Sequence, residues 1–174
     1  AIIDAAGAAY TVSLDIDALL DELTLSSADA TLDLGSRDVT IGVSASLTAG
    51  RLVMGSGSVI GGAGTVTNGA TIDAFRSTSI TAPFVQNGEL SIIAGPGGFT
   101  ADHTVSSGFT NTGTIRLTSQ VNARTASLLV TTGTLTNNGA ISVDTGVGGA
   151  RQIAASLANN GVFTANTSVS LAGV

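Results

Sequence analysis

One nine-residue phrase, written three times in the second half of the chain, limits what this polypeptide can become. The copies are Phe109-Thr-Asn-Thr-Gly-Thr-Ile-Arg-Leu117, Leu135-Thr-Asn-Asn-Gly-Ala-Ile-Ser-Val143 and Leu157-Ala-Asn-Asn-Gly-Val-Phe-Thr-Ala165. In each, a large apolar residue enters, an Asn-rich corner ending in Gly turns the chain, and an apolar/polar alternation leaves. Alternation of period two marks a strand with one buried face, and Asn and Gly are the residues that supply the positive-φ backbone of a tight turn. The unit reads as strand, corner, strand.

Looser copies run upstream at Phe84-Val-Gln-Asn-Gly-Glu-Leu90, Val66-Thr-Asn-Gly-Ala-Thr-Ile72 and Leu47-Thr-Ala-Gly-Arg-Leu52. Their corner glycines, Gly50, Gly69, Gly88, Gly113, Gly139 and Gly161, lie 19, 19, 25, 26 and 22 residues apart. Recurrence in this range predicts a solenoid, whose repeats bury a core only by stacking on one another. The expected fold is all-β, a parallel β-helix of about eight coils and, at ~4.8 Å per coil, on the order of 40 Å tall. Asn111, Asn137 and Asn159 should then superpose beside Gly113, Gly139 and Gly161, each amide bonding the next as Asn ladders do.

In the first coils an 18-residue register places Ile16, Leu34 and Leu52 in one inward column, Leu23, Ile41 and Val59 in another, and Asp15, Asp33 and Arg51 on the surface. The chain reads as one domain, 1–174, with coils of 18–19 residues through 65 and of 19–26 residues over 66–174. Gly95-Pro-Gly-Gly98 and Gly146-Val-Gly-Gly149 read as loops that bulge from the coils. Asn-Gly at 68–69, 87–88, 138–139 and 160–161 is also a hairpin signal, so an antiparallel sandwich or meander competes. Whole phrases recur, including the apolar residue four before Gly in Phe84, Phe109, Leu135 and Leu157, and a hairpin sheet requires no such recurrence.

The 174 residues carry six arginines, no lysine and twelve acidic groups, a net charge of −6 with no basic cluster. Counterion release therefore cannot drive binding to nucleic acid. Cys is absent, which rules out a disulfide framework or a thiolate metal site. No run of about 18 apolar residues exists, so no membrane insertion through a helix is expected. A chain that opens on Ala1 suggests a removed leader or a piece of something longer, and neither end shows an obvious polar cap.

The repeats resemble those of bacterial secreted and surface β-solenoid proteins, autotransporter passengers and filamentous-haemagglutinin-type adhesins. Leu135–Val143, Gly148-Gly-Ala-Arg-Gln-Ile153, Leu157-Ala-Asn-Asn-Gly161 and Thr11-Val-Ser-Leu-Asp-Ile-Asp17 carry the likeness. It implies a right-handed parallel β-helix, export to the bacterial cell surface or beyond, and a structural or adhesive role.

Candidate chemistry is sparse. Asp15 and Asp17 alternate as if on one strand face and could share a Ca²⁺ with carbonyl oxygens, although solvated edge charge explains the same acidic end. His103, the one histidine, reads as a surface-loop residue, and Asp102 beside it is too little for a triad. Polysaccharide hydrolases and lyases need paired carboxylates in a groove with sugar-stacking aromatics, and this chain has no Trp and one Tyr. Threonine pairs such as Thr65/Thr67 and Thr112/Thr114 do not recur at the fixed spacing of an ice-binding array. The expectation is a non-enzymatic structural solenoid without a cofactor, which stacks head to tail on itself, acidic N-terminal end against arginine-bearing C-terminal end. The alternative is an adhesin stalk that presents its surface to glycan.

Overall fold

The computed structural model describes residues 1–95, 97–121 and 123–174; Pro96 of the expected Gly95–Gly98 loop and Asn122 lie outside them. Strands make up the described secondary structure, every strand pair is parallel, and each coil of the chain lays its strands on those of the coil before. The fold is a β-solenoid of about eight coils. One sheet has eight strands in the order of their coils, from Tyr10–Ser13 through Ala30–Asp33 and Arg51–Met54 to Val162–Ala165. The other has twelve strands. It bends along its length, so that a long strand such as Ala126–Asn137 pairs with both Ala101–Val105 and Phe109–Asn111 of the previous coil.

Parallel stacking puts equivalent residues on top of one another, and the core is a set of vertical columns. One runs Val12, Leu32, Leu52, Ile72, Leu90, Ile115, Ile141, Phe163. A second contains Leu23, Ala45, Val66, Phe84, Phe109, Leu135 and Leu157. The rings of Phe84 and Phe109 pack tilted with centroids 5.2 Å apart. Each fully buried Leu or Ile in such a column contributes roughly 1.5–3 kcal/mol.

The 18-residue register is corrected. Leu52 stands on Leu32, not Leu34, and Leu32 stands on Val12, so the first coils step by 20 along the eight-stranded sheet, and by 21 or 22 along the other, as from Leu20 to Ile41 and from Leu23 to Ala45. Ile41 follows Leu20 and Val59 precedes Ser79, which separates the proposed Leu23, Ile41, Val59 column. Arg51 lies over Thr31, and Asp33 lies over Ser13. Ile16, expected inside, is 70% exposed at the corner between two strands. Ala18–Leu23 is strand, part of Ala18–Leu25.

Gly69 also leaves its predicted place. The column of small corner residues is Ala30, Gly50, Ala70, Gly88, Gly113, Gly139, Gly161, with Ala70 where Gly69 was expected. Of these glycines only Gly50 has a positive φ, 84°. The others are needed for closeness. A Cβ on Gly88, Gly113, Gly139 or Gly161 would lie 2.0–2.2 Å from a carbonyl oxygen of the preceding coil. Turn geometry was therefore the wrong reason for the right residue.

Candidate functional site

Asn111, Asn137 and Asn159 do superpose, and two further residues share their column: Asn68 and Gln86. The column is continuous below with Leu47 and Leu25. Asn68 Nδ2 donates to Gln86 Oε1 at 2.8 Å, Asn111 Nδ2 to Asn137 Oδ1 at 2.7 Å, and Asn137 Nδ2 to Asn159 Oδ1 at 2.6 Å. Each amide also reaches the carbonyl that opens the following coil's next strand: Glu89, Thr114, Ala140 and Val162 in turn. From Asn68 onward the corner is only two residues long, and these carbonyls give the buried amides acceptors at the bend. The ladder breaks once. Gln86 turns its amide to Gly88 O and Thr114 O, and Asn111 Oδ1 is buried without a partner.

An outer row follows the same corner. Thr112 Oγ1 donates to Asn87 Oδ1 at 2.6 Å, and Asn160 Nδ2 to Asn138 Oδ1 at 3.1 Å.

Asp15 and Asp17 sit at the bend between Tyr10–Ser13 and Ala18–Leu25, so strand parity does not put them on one face. Asp17 Oδ1 instead accepts the Asp38 amide of the next coil at 3.1 Å, and Asp38 Oδ1 accepts the Val59 amide of the coil after at 2.9 Å. Asp29 Oδ2 does the same for Gly7. These carboxylates cap backbone donors where strands turn. Among the described residues no group of three His, Cys, Asp or Glu side chains converges.

His103 is a core residue, which corrects its reading as a loop histidine. It lies in Ala101–Val105, 1% exposed, between Thr78 below and Leu128 above. Nδ1 lies 2.8 Å from Thr78 Oγ1, while Nε2 is buried without a partner. Burial pushes its pKa down to about 4. Asp102, next along the strand, points to the opposite face and is exposed; the two cannot act as a pair.

The arginines were not resolved by sequence reasoning. Arg51 pairs with Asp73 and Arg116 with Asp144 across coils on the outer face of the eight-stranded sheet. Burial raises the Asp73 pKa against the pull of Arg51. At Asp144 burial acts in the same upward direction, but hydrogen bonds from Arg116 and Ser142 prevail and hold it below the usual range. A separation of one coil plus two residues is the signal that would have found Arg51 and Asp73.

Arg151 is buried in a column that also holds Ala101, Ala126 and Val169. Its Nη1 donates to the carbonyls of Gly148, Gly149 and Ala150 at 3.1 Å each, and Nη2 to Thr145 O at 2.9 Å. It closes the 145–150 loop from inside. With Arg151 buried and Arg116 paired, the expected arginine-bearing C-terminal surface is not formed: the last coil, Val162–Ala165 and Val169–Ala172, contains no cation.

At the opposite end an apolar mouth of about 340 Å³ opens among Ile2, Ile3, Val12, Leu14, Ala18 and Leu20. The geometry thus defines a class, the parallel β-solenoid with an internal amide ladder. Comparison with protein families, curated proteins and solved structures gives no match for the chain.

Proposed function

We propose that this chain is a non-enzymatic structural β-solenoid of a bacterial cell surface or extracellular matrix. The observation that carries the reading is the continuity of the columns: the same inward positions stay apolar or amide-bonded through about eight coils, so the molecule offers length and lateral surface. The Ser/Thr-rich exterior supports an extracellular setting, with which the absence of cysteine is compatible.

The terminal coils present unpaired strand edges in line with apolar columns, and parallel edges recruit further strands. Additional coils of the same kind, including those of a second copy set head to tail, would continue every column without a change of register. Phe163 and Leu171 at one end and Val12 and Leu14 at the other are the side chains such contact would cover. Electron microscopy and light scattering of the purified chain test this. Filaments that lengthen with concentration are expected; monodisperse rods at high concentration would overturn self-assembly and leave a stalk-like spacer.

A further inference from the structure

Among the described residues Arg76 and Arg124 have no carboxylate within ion-pair distance, and they share one corner. The Arg76 guanidinium lies over the Phe99 ring, Cζ 3.6 Å from the centroid, and Phe99 is 45% exposed. Stacking fixes the plane of the guanidinium and leaves its N–H edge free to fork onto an oxyanion. A Cβ at Gly97 would lie 3.8 Å from Arg76 Nη2, and one at Gly98 would lie 3.5 Å from Arg124 Nη2. Both guanidinia therefore rest against the same Gly97–Gly98 turn.

The backbone is strained at this corner. Arg76 (φ 61°) and Ala123 (φ 59°) are the two non-glycine residues with positive φ among those described. Left-handed backbone at non-glycine residues is strained, and such strain concentrates at ligand-holding positions. Next along the chain from Arg76, at Ser77, begins a shallow groove lined by Gly57, Ser77, Ser79, Asp102 and Thr104. Asp102 is set there by hydroxyls of Thr100 (3.0 Å) and Ser127 (2.6 Å).

We propose that this corner and groove bind an acidic polysaccharide, a glycan bearing uronate carboxylates. Arg76 and Arg124 take the carboxylates. The flat Phe99–Arg76 stack meets a sugar face, and Asp102 with the Ser and Thr hydroxyls takes sugar hydroxyls. The arginines flank strands two coils apart, about 10 Å at ~4.8 Å per coil, and pyranose units of an extended chain recur at about the spacing of the coils. The net charge of −6 argues against indiscriminate attraction of polyanions, so recognition rests on this local site. The assignment stands whether or not the solenoid forms fibres.

Titration calorimetry of the whole chain with polygalacturonate, neutral dextran and dextran sulfate tests the site. Binding to polygalacturonate and none to dextran is expected. Arg124→Gln and Arg76→Asn should each weaken it tenfold or more; Asn tolerates left-handed φ, so Arg76→Asn should melt no lower than the parent, and if it does, Arg124→Gln decides. Absence of binding to polygalacturonate, or binding that ignores the variants, overturns the proposal. Equal binding of dextran sulfate overturns the uronate assignment, because charge alone would then be read.

Discussion

Asn111 and Asn137 are 26 residues apart in the chain, yet the amide of the first donates to the carboxamide oxygen of the second at 2.7 Å inside the solenoid wall. Neither side chain is exposed. The bond ties two successive corners in addition to their backbone pairing, in which the Asn138 and Gly139 amides donate to Asn111 O.

Asn137→Ala should therefore cost much more than an ordinary surface change. It removes the donor to Asn159 Oδ1 and Val162 O and the acceptor of Asn111 Nδ2. At ~0.5–1.5 kcal/mol net for each of the three hydrogen bonds lost, a loss of about 3 kcal/mol is expected. Asn160→Ala, in the exposed outer row, should cost under ~1 kcal/mol. Paired thermal melts decide, and equal losses would mean the inner ladder contributes nothing special.

Gly139→Ala and Gly57→Ala separate two uses of glycine. A methyl at position 139 meets Gly113 O at 2.2 Å, so adjoining coils must part, at roughly 3 kcal/mol or more. Position 57 has open space but a φ of 82°, for which about 1 kcal/mol is expected. The reverse order in urea midpoints would show that the coils are not packed this closely.

His103 makes stability depend on pH. A buried neutral imidazole with a pKa of about 4, against an ordinary 6.5, favours the unfolded chain as protons bind. Its stabilisation is complete above pH 6.5, falls as pH drops towards 4, and levels off below. Between pH 7 and 4.5 the loss is about 2.5 kcal/mol at 1.36 kcal/mol per pKa unit. His103→Leu, which copies Leu128 one coil on, should remove that part of the slope when urea melts are compared at the two pH values. An unchanged slope would show that carboxylates alone carry the dependence.

Arg151→Met keeps the bulk but abandons four carbonyls of the 145–150 loop. A cost of about 2–4 kcal/mol is expected, with amide hydrogen exchange in residues 145–150 rising first. Loss of protection spread evenly over the chain would count against the stapling role.

Much of the fold was legible because a solenoid repeats its solution. The column Phe84, Phe109, Leu135, Leu157 and the amides of 111, 137 and 159 follow from whole-phrase spacing. The first coils were misread for a physical reason. On the eight-stranded sheet steps of 18 and 20 are both even, so either preserves the inward and outward alternation, and the pattern alone does not choose between them. Gln86 escaped notice because its amide does an asparagine's work on a longer stem. His103 could have been placed inside: Ala101, His103 and Val105 alternate with Asp102 and Thr104, which is the period-two pattern itself. The arginine corner was not legible, since Arg76, Phe99 and Arg124 come from three coils whose loops differ in length.

The passage of one interior column from Leu25 and Leu47 to Asn68 and its successors gives the stack a memory of sequence order. A leucine-bearing coil misplaced onto an amide-bearing one would deny a buried carboxamide its side-chain acceptor. Coils exchanged within the amide block would meet no such penalty. Assembly errors should accordingly cluster among the later coils, and the boundary at Asn68 is where mis-threading is refused.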